Sequence, residues 1–297
     1  MERCTLEEQG FLGVYYPGTI SPEKAIIAVG GAVCDEQTTI AMTGYLRKAG
    51  YQVLVLGFYY WEGLSNKEVV SIPVDYVEKA VHWLKTTKPP VSKIAMTGVS
   101  TGAGYTLVSA SLIPDIGCII PVVPFDYVME GATFTMHRFN KSVYTWHGED
   151  LSYSPWSITD PGLFKLVWTI IREGKFNQMI RYCYDHNEML EESRIKIEQM
   201  HADVLLLGVQ NDECWPSGEA VERMVKILKE ANYPYRVEYK IYEKASHALV
   251  DGLNELTGLK HWILKRKMKN EKDYPKECEE ARQDSFKRIL KFLEEWQ

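Results

Sequence analysis

The sequence predicts an α/β fold: a mostly parallel central sheet with helices on both faces. Three observations carry that expectation. Short, continuously apolar runs recur along the chain, as in strands buried on both sides. Amphipathic segments of helical period alternate with them, as crossover helices do. The 297 residues, 45% hydrophobic and 25% charged, suffice for one large α/β domain of ordinary composition.

The elements follow in order. Residues 11–18 read as a short strand ending in a turn at Pro17-Gly18. Residues 25–29 (Ala-Ile-Ile-Ala-Val) form a compact buried strand that breaks at Gly30-Gly31. Helical spacing over 38–48 stops at Gly50, and the strand 51–56 leads into an aromatic loop, Phe58-Tyr59-Tyr60-Trp61. Val77, Ala80, Val81 and Leu84 make the apolar stripe of a helix over 74–84. The strand 93–97 precedes Gly98-Val99-Ser100-Thr101-Gly102, and a helix over 103–110 follows it. Further strands are expected at 118–123, 204–209 and 236–242. A helix over 218–231 separates the last two, and a final helix closes the chain over 277–296.

The alternation breaks between 127 and 200, a stretch rich in Trp and Tyr with an irregular portion over 148–162. We read it as a cap inserted after the sixth strand of a single domain spanning 1–297. Such an insertion would cover the carboxyl ends of the strands, where open α/β sheets bind ligands. Most of its aromatic residues are expected to form the insertion's own small core.

Charge and composition exclude several function classes. A net charge of −6 argues against general nucleic-acid binding. The opening Met1-Glu2-Arg3-Cys4-Thr5-Leu6-Glu7-Glu8 is acidic and lacks the apolar segment of a signal peptide. No apolar run approaches the ~20 residues of a membrane helix. The six cysteines are scattered without a C-x-x-C pair, which argues for reduced thiols and against a zinc site. The expectation is a cytoplasmic protein with no cofactor, no metal and no membrane span.

Gly98-Val99-Ser100-Thr101-Gly102 is the only G-x-S-x-G in the chain. Placed between strand and helix, it reads as a nucleophile elbow, whose sharp turn lifts the serine above the sheet edge. A serine hydroxyl needs a base to take its proton and a carboxylate to orient that base. In elbow-type folds these follow in the order serine, acid, histidine, each at a strand's carboxyl end. Asp212 directly follows the strand 204–209; Asn211 carries no charge and Glu213 lies one step further into the turn. Ser217, not Asp212, fits the N-cap of the next helix. His247 alone among seven histidines closely follows a sheet strand C-terminal to the acid. The oxyanion hole would take the N–H of Thr101 and one from the Gly30-Gly31-Ala32 turn, with Gly31 and Ala32 both open as the donor.

With these residues placed, the chain resembles the C-terminal catalytic domain of the acyl-CoA thioesterase / bile acid-CoA:amino acid N-acyltransferase family, within the dienelactone-hydrolase-like α/β hydrolases. The resemblance rests on the Gly30-Gly31 turn, the aromatic loop running into Glu62-Gly63-Leu64, and residues 72–80. It also rests on the elbow, the Asp212-Glu213-Cys214-Trp215-Pro216-Ser217 turn, Ser246-His247-Ala248 and the closing helix. It covers residues 25–297 and implies an α/β-hydrolase fold with a Ser100–Asp212–His247 triad acting through an acyl-enzyme. Two departures stand out. Eukaryotic members carry a β-sandwich domain ahead of the catalytic one, for which the stretch before residue 25 is too short. Amino-acid-conjugating members use a cysteine where this chain has Ser100, which favours hydrolysis of a thioester or carboxylic ester over transfer to an amine or alcohol. Acyl-CoA is among the candidate substrates. The basic run Lys260, Lys265, Arg266, Lys267, Lys269 and Lys272 is a weak candidate for its phosphates, since Glu271 and Asp273 interrupt it.

Overall fold

The structure is a computed structural model that describes residues 1–32, 34–65, 67–88, 90–132, 138–157, 168, 179–250 and 268–297. Eight strands form its main sheet: β1 (Glu2–Cys4), β2 (Leu12–Tyr16), β3 (Lys24–Val29), β4 (Gln52–Gly57), β5 (Lys93–Val99), β6 (Ile116–Val122), β7 (Asp203–Val209) and β8 (Val237–Tyr242). Their order across the sheet is β1-β2-β4-β3-β5-β6-β7-β8. β1 pairs with β2, and β2 with β4, antiparallel; every other pair is parallel.

The helices, in chain order, are α1 (Glu36–Met42), α2 (Gly44–Lys48), α3 (Asp75–Thr87), α4 (Thr101–Leu112), α5 (Met179–Asp185), α6 (Ser217–Glu230), α7 (Lys269–Asp273) and α8 (Pro275–Glu295). The two-residue period of the strands sorts side chains into two cores. Ile27, Leu54, Met96 and Leu206 face α3, α4 and α6, packing with Val77, Leu107 and Met224. Ile26, Val53, Val55 and Leu205 face the opposite way, with Leu46, Ile289, Phe292 and Leu293. Burying both faces explains why the central strands are apolar throughout rather than alternating.

Three local readings are corrected. The helix expected over 38–48 is two, α1 and α2, meeting at Thr43, whose hydroxyl donates to Thr39 O at 2.9 Å. Asp35 caps α1 by accepting from the Thr38 N–H at 2.9 Å. β1 lies in the acidic opening segment, where only Cys4 is buried and no periodic pattern marks a strand. Ser217 does not cap α6; it is the helix's first residue, and its hydroxyl is committed elsewhere.

Between β6 and β7 the chain forms small accessory sheets. Glu130–Ala132 pairs with Arg138–Ser142, and Tyr144–Trp146 joins Glu149–Asp150 and Ile72–Pro73. The aromatic residues described here do not make a separate core. Tyr144 is buried in the main core, and Trp146, Tyr153, Trp156 and Tyr184 pack against it. Phe125, at 4.6 Å from Tyr184, and Tyr105, at 5.6 Å from Tyr144, make the joins. Among the described residues no helix is long and apolar enough to cross a membrane.

Two glycines let α4 begin where it does. A Cβ on Gly98 would lie 2.2 Å from Gly102 O, and one on Gly102 would lie 2.1 Å from Gly30 O. Both obstructions are backbone, so neither can swing aside. Gly102→Ala is therefore expected to cost at least about 3 kcal/mol, at the upper end of overpacking effects. Denaturant unfolding of the variant against wild type checks this.

Candidate active site

Ser100 sits between the end of β5 and the first residue of α4, with φ 57° and ψ −122°. A non-glycine residue at positive φ costs on the order of 1–3 kcal/mol and persists only where its surroundings fix it. Here the Ser100 N–H donates to Val122 O at 3.0 Å, and the Ser100 carbonyl accepts from Ala103 N at 2.8 Å. The sequence-predicted elbow is thus present in backbone geometry.

His247 follows β8 and Asp212 follows β7, so adjacent parallel strands deliver both side chains to one edge of the sheet. His247 Nε2 lies 2.8 Å from Ser100 Oγ, and Nδ1 lies 2.9 Å from each Asp212 carboxylate oxygen. With Nδ1 protonated toward the carboxylate, Nε2 is free to accept the serine proton. The Trp215 ring meets the imidazole edge-on, 5.3 Å between centroids at 87°. Its own indole N–H is anchored on Val123 O at 3.0 Å.

Asp212 is 2% exposed, and a buried carboxylate needs donors. Besides the imidazole it accepts from Cys214 N at 2.9 Å and from the Ser217 hydroxyl at 2.6 Å. Its backbone carbonyl accepts from Arg181 of α5 at 3.0 Å. The sequence does not single out Arg181, and Ser217 reads there as a helix cap rather than as a partner of Asp212. The D-x-x-W-P-S spacing does contain Ser217, but local rules assign a serine there to a helix cap.

Of the expected oxyanion residues, Thr101 opens α4, where the first N–H groups have no intrahelical partner. Gly31 lies against Ser100: a Cβ there would be 3.5 Å from Ser100 Cβ. Ala32 is half-buried, and its carbonyl accepts from the Tyr59 hydroxyl of the aromatic loop. The Tyr144 hydroxyl donates to Thr101 O at 2.8 Å.

Glu213, weighed from sequence as a substitute acid, points away from the histidine toward α7, accepting from Asn270 N at 3.4 Å. Among the described residues its other oxygen, Oε1, is buried without a partner. Burial, reinforced by the neighbouring Asp212, pushes the Glu213 carboxyl up to about 7. Among the described residues, two groups bring possible metal-ligand atoms within 4.8 Å of one another. One is Asp212, Cys214 and His247, where Asp212 and His247 already bond to each other. The other is Asp75, Glu78 and His147 at the surface, where the backbone N–H of His147 donates to the Asp75 carboxylate. None of the six cysteines is in a disulfide. In the basic run, positions 260, 265, 266 and 267 lie outside the described residues. Lys269 and Lys272 are exposed on α7, Lys269 3.9 Å from Asp273.

The sheet order, its helical layers and the strand–turn–helix at Ser100 define an α/β hydrolase. Solved structures agree on the fold. A putative dienelactone hydrolase from Klebsiella pneumoniae matches with TM-score 0.58 at 14% identity, over 99% of this chain and 98% of that one. A Pyrococcus furiosus esterase matches with TM-score 0.50 at 15% identity, over 100% and 97%. The chain belongs to the family described as BAAT / Acyl-CoA thioester hydrolase C terminal, which it matches over residues 72–296. A curated relative, the peroxisomal succinyl-coenzyme A thioesterase of Mus musculus, is 28% identical over 206 residues. That alignment takes in 68% of this chain but only 42% of the mouse protein, so the chain spans less than half of that relative's length.

Two expectations follow. Ser217→Ala removes a donor to a buried charge, a bond of about 1.5–3 kcal/mol. Where that bond supports the reacting geometry, kcat falls roughly tenfold or more, read by steady-state kinetics.

Glu213 holds its proton more tightly folded than unfolded, from the ordinary 4.5 up to about 7. Between those values the folded state binds more protons, so its contribution to stability declines as pH rises through that window. Glu213→Gln lacks this decline. The Tm of Glu213→Gln relative to wild type is expected to be higher at about pH 8 than at about pH 5, by thermal melts.

Proposed function

We propose that this protein is a serine hydrolase that cleaves an acyl thioester or carboxylic ester through an acyl-enzyme. The observation that carries the reading is the continuous contact from Ser100 Oγ through His247 to Asp212, at 2.8 and 2.9 Å. Ser100 Oγ attacks the acyl carbonyl carbon as its proton passes to His247 Nε2. Asp212 holds the imidazole ring and stabilises the imidazolium. The oxyanion is met by the Thr101 N–H and by the Gly31–Ala32 turn. Loss of a single such donor typically costs roughly 3–4 kcal/mol of transition-state stabilisation.

The tetrahedral intermediate collapses, breaking the bond to the leaving thiol or alcohol, which takes the proton from His247. Water then attacks the acyl-enzyme, losing its proton to the same nitrogen. The acid is released and Ser100 regenerated. Acyl-CoA thioesters are the favoured substrate class, on the family membership and the name of the mouse relative. The inserted segment acts as a cap on this site; described parts of it reach Thr101 through Tyr144 and Asp212 through Arg181. We place the enzyme in the cytoplasm, on six cysteines that form no disulfide. Fractionation with a peroxisomal marker tests that, because the mouse relative is named as peroxisomal.

A screen of acyl-CoAs, p-nitrophenyl esters and lactones tests the activity. Ser100→Ala is expected to lower kcat by roughly 10⁴-fold or more and to abolish labelling by a fluorophosphonate probe. Residual activity equal to wild type would falsify the mechanism. Product that forms only when an amine or alcohol acceptor is added would instead identify an acyltransferase, the alternative that the family's conjugating members raise.

A further inference from the structure

The β7–β8 ladder ends where its work is most needed. Its last backbone contact is Gln210 N to Tyr242 O at 2.9 Å. Beyond it the acid loop and the base loop leave the sheet separately, yet Asp212 and His247 must meet within hydrogen-bond distance. On the exposed side the Asn211 amide reaches Glu243 O only at 3.5 Å. On the buried side stands α7. The Asn270 carboxamide Nδ2 donates to Asn211 O at 3.0 Å and to Ala245 O at 2.8 Å. Asn211 is the residue before Asp212, and Ala245 lies two before His247. A single amide group therefore cross-links the loop of the acid to the loop of the base.

The backbone that carries this amide is itself held. Asn270 O accepts from Tyr274 N at 2.8 Å and from Cys278 Sγ at 3.4 Å, and Asn270 N donates to Glu213. The next residue, Glu271, accepts from the Ser246 hydroxyl, directly before His247, and from Arg282 of α8. The Glu271 and Arg282 side chains are 3% and 4% exposed, and Arg282 also bonds Glu279 at 3.0 Å. A buried ion pair is weak evidence for stability, and one documented use of such groups is to fix register. Here it fixes α7 against α8, and α7 in turn holds both loops.

We propose that Asn270 is a positioning residue of this enzyme: its carboxamide sets the spacing of the Asp212 and His247 loops, with the Glu271–Arg282 pair as its anchor. The proposal rests on the Ser100–His247–Asp212 mechanism above. It does not act on substrate, so it governs turnover rather than binding. Without the cross-link, the acid and base loops move apart and the carboxylate supports the imidazolium less well.

The test uses Asn270→Asp, which keeps size but presents oxygen instead of two N–H donors to the carbonyls, and Asn270→Ser, which shortens the donor. Active sites are first titrated with a fluorophosphonate, so that kcat is expressed per labelled site. The expected result is a kcat per site lowered roughly ten- to a hundredfold, with KM within about twofold of wild type. In Asn270→Ser, which adds no charge, the acid limb of kcat/KM moves to lower pH, and in both variants the labelling rate falls in step. A purely structural asparagine would reduce the number of titratable sites and leave kcat per site and the pH profile unchanged; that outcome overturns the proposal. Should the aspartate variant give no soluble protein, the serine variant carries the same readout. Ser100→Ala, run alongside, keeps the two ideas apart. If it stays active, the underlying mechanism fails. If it is inactive while both Asn270 variants turn over normally per site, only the positioning role fails.

Discussion

Everything at the site hangs on how closely α4 approaches the turn after β3. With Gly102 against the Gly30 carbonyl and Gly98 against Gly102, there is no room for a single methyl group at either position. That contact brings the N-terminus of α4 beside Gly31 and leaves Ser100 as the one residue bridging strand and helix. The bridge is possible only at positive φ, so the serine carries the strain. The sheet supplies the restraint, through the Ser100 N–H on β6 and through strands buried on both faces. A looser helix would relieve the strain and lower the hydroxyl out of reach of His247.

The second constraint is electrostatic. Burying the Asp212 carboxylate is tolerable because an imidazole, a backbone N–H and the Ser217 hydroxyl all donate to it. The adjacent Glu213 has no such set. One of its oxygens finds a long bond to Asn270 and the other, among the described residues, finds none. Two neighbouring carboxyls thus divide into one that is solvated by the protein and one whose proton affinity rises to about 7. Sequence position favours Asp212 over Glu213 by a single step along the turn. The direction in which each points separates them.

The aromatic insertion shows how packing overrides a local reading. A segment rich in Trp and Tyr is naturally assigned a core of its own, and irregular spacing offers nothing to contradict that. In the structure Tyr144 and Tyr184 instead extend the main core, through Tyr105, Phe125 and Trp215. The same packing brings the Tyr144 hydroxyl and the Arg181 guanidinium to Thr101 and Asp212. The insertion is tied to the site by the same side chains that bury it.

The sequence by itself determined the alternation of strands and helices, the turn at Ser100, and the linear order of Ser100, Asp212 and His247. Each is written locally, as an apolar run, a helical stripe, or a polar residue just past a strand's end. Parallel strands then align those ends along one edge, so linear order carries over into proximity. Only the tertiary structure decided what long-range contacts decide. β1 exists because β2 offers it a partner, not because its own residues alternate. Ser217 caps no helix because its hydroxyl accepts from the Val209 N–H at 3.1 Å and donates to the buried Asp212 carboxylate at 2.6 Å. Asn270, far along the chain from both loops, joins them with one amide. Such bonds link residues whose sequence separation hides them, and their energy comes from burial, which no local pattern records.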